Sequence, residues 1–142
     1  MNKTALITGS TSGIGLEIAT SFAKEGYAIM FHGLEKNGLE IATEIGKKYN
    51  VKVGFSNANL LKSSEIEKLI EETIAAFKSI HVLVNNAGIQ SVAPVKDFPN
   101  EKYENIIAIN MNGVFYASKA VWNQMEKQQF GRIIKISSVH GL

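Results

Sequence analysis

The chain of 142 residues contains no cysteine, which excludes disulfide bonds and thiolate metal sites. An absence of cysteine suits a reducing compartment. The first residues, Met1-Asn2-Lys3, run straight into a short strand-like segment and lack the features of a signal peptide. No apolar run approaches the ~20 residues that span a bilayer. We therefore expect a cytoplasmic protein with no membrane partner.

An excess of one charge sign is also missing, since 15 Lys and Arg face 13 Asp and Glu for a formal charge of +2. The lysines are scattered, with Lys47-Lys48 the only adjacent pair, so we expect no nucleic-acid partner. Hydrophobic residues make up 45% and charged residues 20%, as in an ordinary globular domain. The length fits one domain over residues 1–142, or part of one.

Short aliphatic runs alternate with helical patterns along the whole chain. Strands are predicted over residues 4–7, 27–31, 51–55, 80–84 and 132–136. Helices are predicted over residues 14–23, 36–49, 63–74 and 101–128, the third with Ser63-Ser64-Glu65 as its N-terminal cap. This alternation predicts an α/β fold, a Rossmann-type doubly wound parallel sheet that stops after its fifth strand.

Apolar spacing within the first two predicted helices indicates their buried faces. The inward positions are predicted to be Ile14, Ile18, Ala19, Phe22 and Ala23 in the first helix, and Leu39, Ile41, Ala42 and Ile45 in the second.

Residues 8–15 read Thr-Gly-Ser-Thr-Ser-Gly-Ile-Gly, directly after the first predicted strand and at the start of the first predicted helix. Such a loop presents backbone N–H groups and a helix N-terminus to a phosphate. Gly9 permits the sharp turn, while Gly13 and Gly15 allow close approach of the backbone to a pyrophosphate. The hydroxyls of Ser10, Thr11 and Ser12 are further candidate donors. The alternative is a glycine turn with no ligand.

Polar residues also follow the fourth and fifth predicted strands. Asn85-Asn86-Ala87-Gly88 follows the fourth, and Ser137-Ser138 ends the fifth. Because parallel strands end at the same sheet edge, these residues are predicted to lie near the glycine loop. An asparagine-rich turn and ordinary turn serines are the alternatives.

In this order, the glycine loop, the N-N-A-G turn, Asn110 and Ser138 resemble the short-chain dehydrogenase/reductase family over the whole chain. The resemblance implies that Ser138 hydrogen-bonds the reacting oxygen and that Asn110 holds a water in a proton relay. It implies cofactor contacts from Gly9, Ser10, Thr11, Ser12, Gly13, Ile14, Gly15, Leu34, Asn59, Leu60, Asn86, Ala87 and Gly88. It implies no metal.

Gln90, Pro94 and His140, with their neighbours, resemble the hydroxybutyrate dehydrogenase branch of this family. That branch implies NAD-dependent interconversion of D-3-hydroxybutyrate and acetoacetate, with Gln90 and His140 binding the substrate carboxylate. For His140 alone, an ordinary loop histidine is the alternative. Two other functions stay open: an NADPH-dependent 3-oxoacyl carrier-protein reductase, and a nucleotide-binding module without catalysis.

The cofactor is expected to be NAD, in line with this resemblance. Glu35 follows the second strand at about the distance of an acidic residue that pairs with the ribose, though slightly late in the sequence. Lys36 could only partly replace an arginine that binds a 2′-phosphate. Two positions depart from the family pattern, because His81 and Asn59 each stand where an aspartate is usual. His32 and His81 are interpreted as structural.

The family's acid–base pair, a tyrosine four residues before a lysine, is missing from this sequence. We therefore expect a truncated chain with an open edge at strand five and negligible dehydrogenase activity alone. Full-length family members oligomerise, and the same assembly is not expected here. Four residues after Tyr27, Tyr49, Tyr103 and Tyr116 stand Phe31, Val53, Ile107 and Ala120.

Overall fold

The computed structural model describes residues 3–138, which form one five-stranded sheet flanked by helices. The strands are β1 (Thr4–Ile7), β2 (Ala28–His32), β3 (Val53–Ser56), β4 (Val82–Asn85) and β5 (Arg132–Lys135). The helices are α1 (Gly13–Lys24), α2 (Gly38–Tyr49), α3 (Ser63–Phe77), α4 (Asn100–Ile107) and α5 (Val114–Lys127).

The strand order is β3-β2-β1-β4-β5, and every pairing is parallel. Leu6 in β1 lies opposite Met30 in β2 and Leu83 in β4. The predicted α/β doubly wound architecture is confirmed. From β1 the chain adds β2 and β3 on one side of the sheet, and then β4 and β5 on the other side of β1. A topological switch point therefore lies between β1 and β4. Ligands of such sheets bind beyond the carboxyl ends of the strands at this point.

The sheet separates two hydrophobic cores because successive strand side chains point to opposite faces. Leu6, Met30 and Leu83 pack on one side with residues of α3 and α5. Ile7 and Phe31 pack on the other side with residues of α1 and α2. Burial on both faces explains why the central strands read as unbroken apolar runs.

The predicted buried faces of α1 and α2 are confirmed in part. Ala19, Ala23 and Ala42 are buried, and Ile18, Phe22 and Ile45 are partly buried against the core. Ile14 and Leu39 are 68% and 59% exposed, although both are predicted to point inward. Each lies next to a glycine of a buried stripe of small residues, and small side chains let a helix approach a sheet closely. The stripes are Gly15, Ala19 and Ala23 in α1, and Gly38, Ala42 and Gly46 in α2.

Helix α3 begins at Ser63, but its N-cap is Lys62, and no side chain caps it. The prediction that Ser63-Ser64-Glu65 caps this helix is therefore wrong. Glu65 in the first turn instead accepts a hydrogen bond from the Asn59 backbone N–H at 2.6 Å. Its carboxylate holds the loop between β3 and α3.

The long helix predicted over residues 101–128 is interrupted by a π-helical turn. Helix α4 ends at Ile107, the π turn spans Ala108–Gly113, and α5 follows at Val114. Apolar periodicity does not reveal this turn, because a π turn adds a residue without ending the helix. Such turns occur frequently at functional sites.

Strand β5 forms an outer edge of the described sheet, and it pairs with β4 alone. Ile134 and Ile136 near this edge are 40% and 41% exposed. No helix within residues 3–138 is long and apolar enough to cross a membrane.

Truncation of Leu6 tests the packing of the core. Leu6 is fully buried in the central strand, so Leu6→Ala should lower the free energy of unfolding by about 3 kcal/mol. Val92 is 95% exposed, and Val92→Ala should change it by less than about 0.5 kcal/mol. Urea unfolding of both variants measures the difference. Equal losses would contradict the described packing.

Candidate nucleotide-binding site

A crevice of about 400 Å³, the first cavity, opens at the carboxyl ends of the strands. Its walls are the glycine-rich loop, the end of β2, the loop after β3 and the N-N-A-G turn. A second cavity of about 650 Å³ adjoins it and shares Ile14 and residues 86–89. The second cavity extends to Gln90, Asn110 and Ser138.

The backbone of the glycine-rich loop requires glycine at several positions. Gly9 and Gly13 have φ angles of +63° and +52°, where residues with a Cβ are disfavoured. A Cβ on Gly15 would overlap the Gly9 carbonyl oxygen. The loop turns directly into the N-terminus of α1, whose free N–H groups favour an anion. This backbone fits the pyrophosphate of a dinucleotide.

The three hydroxyl residues of the loop occupy different environments. Ser10 is fully buried, and its Oγ accepts a hydrogen bond from the His32 backbone N–H at 2.9 Å. Thr11 is also buried, and its Oγ1 donates to Glu35. Only Ser12 of the three lines the crevice. The side chains of Ser10 and Thr11 therefore stabilise the loop through hydrogen bonds to His32 and Glu35 and do not line the crevice.

Glu35 places a carboxylate on the crevice wall. Thr11 donates to one of its oxygens, and Ser12 Oγ donates to the other at 3.2 Å. The hydrogen bond from Thr11 is the main cause that lowers the pKa of Glu35 below its usual value. Glu35 is therefore ionised at neutral pH.

His32, at the end of β2, joins two walls of the crevice. The Gly9 N–H donates to Nδ1 at 3.0 Å, and Nε2 lies 2.9 Å from the Ala58 carbonyl oxygen. Because Nδ1 accepts, Nε2 must carry the proton that is donated to Ala58. Burial lowers the pKa of His32 below 6.5, which favours this neutral form. These contacts fit the interpretation of His32 as structural, and they lie next to the site.

The glycine loop and the N-N-A-G turn form one hydrogen-bonded unit. Asn86 Nδ2 donates to the carbonyl oxygens of Thr8 and Gly9 at 3.0 and 3.1 Å. Thr8 Oγ1 in turn accepts from the backbone N–H groups of Asn86 and Ala87, both at 3.0 Å. The first two motifs thus share one wall of the site, as their positions in the sequence predict.

Asn85 contributes an unsatisfied donor beside the second cavity. It is 4% exposed, and its Nδ2 has no hydrogen-bond partner among the described residues. Buried polar groups without a partner are uncommon in native proteins. Asn85 lines the second cavity with Ser137 and Ser138.

Asn110 lies in the π-helical turn, and its side chain is paired in both directions. Its Oδ1 accepts from the Ile89 N–H at 2.9 Å, and its Nδ2 donates to the Ile89 carbonyl at 2.8 Å. This pair anchors the π turn to the segment after N-N-A-G. Both ends of the amide are thus paired with Ile89. These contacts do not test the predicted role of Asn110 in holding a water, which stays a prediction.

The remaining predicted residues divide between the two cavities. Leu34, Asn59 and Leu60 line the first cavity. Gln90 and Ser138 line the second. His140 lies outside the described residues. Gly13 belongs to the loop but lines neither cavity, and its role is to turn the backbone into α1.

His81 lies at the opposite end of the sheet, before β4. Its Nδ1 accepts a hydrogen bond from the Thr4 backbone N–H at 2.9 Å. The backbone N–H of His81 donates to the Thr4 carbonyl, also at 2.9 Å. A histidine in this place can therefore hold the start of β1. Within residues 3–138, no group of three or more His, Asp and Glu side chains is arranged to hold a metal ion.

A family model described as short chain dehydrogenase matches residues 3–142. The chain belongs to this family of oxidoreductases. A D-beta-hydroxybutyrate dehydrogenase of Cupriavidus necator is 41% identical over 140 residues, which cover 99% of this chain and 54% of that protein. A 3-oxoacyl-[acyl-carrier-protein] reductase of Staphylococcus epidermidis is 36% identical, with coverage of 99% and 58%. The chain thus spans about half the length of the curated relatives it matches.

Solved structures of dehydrogenases share the fold. NAD+-bound xylitol dehydrogenase superposes with a TM-score of 0.91 at 31% identity, covering 98% of this chain and 54% of that one. The alcohol dehydrogenase of Thermococcus sibiricus, complexed with 5-hydroxy-NADP, gives a TM-score of 0.88 at 27% identity, with coverage of 94% and 57%. These structures support a nicotinamide cofactor and do not distinguish NAD from NADP.

Removal of the Thr8 hydroxyl tests the unit formed by the loop and the turn. Thr8→Val leaves two peptide N–H groups without their acceptor and should lower the free energy of unfolding by about 1–3 kcal/mol. Thr73 is a matched control, since it is equally buried and only donates to the Leu69 carbonyl within α3. Thr73→Val should cost less than about 1 kcal/mol in the same urea titration. A larger loss for Thr73→Val would contradict the proposed importance of Thr8.

Proposed function

We propose that this chain forms the nucleotide-binding part of an NAD-dependent oxidoreductase that interconverts D-3-hydroxybutyrate and acetoacetate. The observation that carries the proposal is the crevice at the switch point, where the glycine-rich loop meets the ionised Glu35 carboxylate. Its backbone donors suit a pyrophosphate, and its carboxylate suits ribose hydroxyls.

Glu35 favours NAD over NADP. An ionised carboxylate accepts hydrogen bonds from the two hydroxyls of the adenosine ribose and repels a 2′-phosphate. Within the segment after β2, the cation is Lys36, a single lysine without the planar fork of arginine.

The proposed contacts follow the geometry of the crevice. Backbone N–H groups over residues 12–15 would bind the pyrophosphate, and Leu34, Asn59 and Leu60, which line the first cavity, would contact the adenine. Residues 86–88 lie between the two cavities and would hold the nicotinamide half. The bound nicotinamide supplies a hydride acceptor for the hydroxy acid.

Side chains around the second cavity are proposed to bind the substrate. Ser138 would donate a hydrogen bond to the reacting oxygen. Asn110, which lines the same cavity and is paired with Ile89, would hold a water in the proton relay. Gln90 and His140 would bind the carboxylate. The 41% identity to a hydroxybutyrate dehydrogenase supports this substrate class.

A second candidate is an NADPH-dependent 3-oxoacyl carrier-protein reductase. The 36% identity to such a reductase over 143 residues favours it. The position of Glu35 disfavours it, because NADPH carries the 2′-phosphate that a carboxylate repels.

We further propose that the 142 residues by themselves bind the cofactor but catalyse weakly. No tyrosine in the sequence has a lysine four residues later, and loss of a general acid–base group typically costs ~10²–10⁴ in rate. With NAD and D-3-hydroxybutyrate, the purified chain should form NADH at less than about 1% of the rate of the Cupriavidus necator enzyme. A comparable rate in this absorbance assay would overturn the proposal of weak catalysis.

Substitution of Glu35 tests the cofactor preference. The unmodified chain should bind NAD more tightly than NADP in calorimetry, and Glu35→Gln should reduce this preference by about tenfold. Glu40→Gln, in the first turn of α2, is the control and should leave the preference unchanged. Tighter binding of NADP by the unmodified chain would favour the reductase candidate. Failure of a folded chain to bind either nucleotide would refute the proposed function.

A further inference from the structure

The imidazole of His32 connects two segments that close the first cavity from different sides. One contact is the Gly9 N–H of the glycine-rich loop, and the other is the Ala58 carbonyl after β3. His32 itself is 3% exposed and lines the cavity. A single ring therefore fixes the distance between the segment proposed to bind the pyrophosphate and the segment proposed to bind adenine.

We infer that His32 is a positioning residue whose neutral ring holds the crevice in its binding geometry, and that protonation of this ring weakens nucleotide binding. The inference rests on the proposed function, because it assigns His32 a role in the same nucleotide site.

Protonation would remove the contact with the glycine-rich loop. Neutral His32 accepts from Gly9 at Nδ1, whereas the imidazolium has N–H donors at both ring nitrogens. Two N–H groups would then face each other at 3.0 Å, so Gly9 has to move. The Gly9 carbonyl is bound by Asn86, and the movement would extend to the N-N-A-G turn. Both the glycine-rich loop and the N-N-A-G turn would therefore be disturbed.

Among the described residues, Glu35 after β2 is the charged group that interacts with His32. Burial is the largest effect and lowers the pKa of His32 below 6.5, while the hydrogen bond to Ala58 and the charge of Glu35 act in the opposite direction. From α3, Glu72 accepts a hydrogen bond from Ser56, and Glu65 accepts one from Asn59. Lys68 and Lys62 pair with these two carboxylates at 3.7 and 3.1 Å.

The sign of the pH dependence follows from these groups. The binding-competent form is the neutral ring, so affinity should be constant above the pKa of His32 and fall as the pH drops through it. Hydrogen bonds lower the pKa of Glu35 below 4.5, so this carboxylate stays ionised over the same interval. A decline of NAD affinity below about pH 6.5 is therefore assigned to His32.

Calorimetric titration with NAD from about pH 7.5 down through the midpoint of the His32 titration tests the inference on three forms of the chain. Below that midpoint, the unmodified chain should lose up to about tenfold in affinity per pH unit. His32→Asn keeps an acceptor near the Nδ1 position but does not titrate, so its affinity should vary less than about twofold. His81→Asn is the matched control, because His81 also accepts a backbone N–H but lies at the far end of the sheet. It should follow the unmodified chain.

Nuclear magnetic resonance on the nucleotide-free chain gives a readout that does not depend on a variant. The His32 ring nitrogens and the Gly9 amide should titrate with one common midpoint below about pH 6.5. Different midpoints would overturn the inference, even where His32→Asn fails to fold.

The outcomes separate the inference from the proposed function. NAD binding with a flat pH profile, or an equal decline in His32→Asn, would overturn the inference alone. A folded, unmodified chain that binds no NAD at about pH 7.5 would overturn both.

Discussion

The site depends on the hydrogen bonds that join the glycine-rich loop to the N-N-A-G turn. Thr8 and Asn86 exchange donors and acceptors across the β1–β4 junction, where the sheet reverses its direction of winding. Without this connection, the two turns would be independent surface loops with separate motions. With it, the backbone N–H groups at the start of α1 and the wall of the second cavity hold one relative position. A preorganised crevice of this kind loses little conformational entropy when it binds a ligand.

Much of the fold could be predicted from the sequence, because buried parallel strands leave a strong apolar signal. The predicted 4–7 strand coincides with β1, and the other strands lie within two residues of their observed bounds. The buried stripes of α1 and α2 could be predicted only in part, through Ala19, Ala23 and Ala42. Periodicity gives weight to large residues such as Ile14 and Leu39, whereas glycine and alanine make the close contact with the sheet. The π turn around Asn110 has no signal in the apolar periodicity, and the pairing of Asn110 with Ile89 is a contact between segments far apart in the chain.

For the candidate site, sequence motifs identified the segments better than the side-chain orientations. The glycine-rich loop and the N-N-A-G turn were predicted to meet, and their hydrogen bonds join them. Ser10 supports the loop from within, and His32 connects it to Ala58, although neither contact has a motif in the sequence. Such contacts arise between segments far apart in the chain. The second cavity is defined in part by residues up to Ser138, and the chain spans about half the length of its curated relatives.

The most direct test of the account is a titration of the isotope-labelled chain with NAD, followed by amide chemical shifts. The account predicts that the amides of residues 9–15 and 86–88 shift together, with a single dissociation constant. The amides at the start of β5 and at the N-terminal end of the sheet near His81 should remain unchanged. Saturable shifts confined to those distant regions, with none in the glycine-rich loop, would contradict the assignment of this loop as the pyrophosphate-binding element.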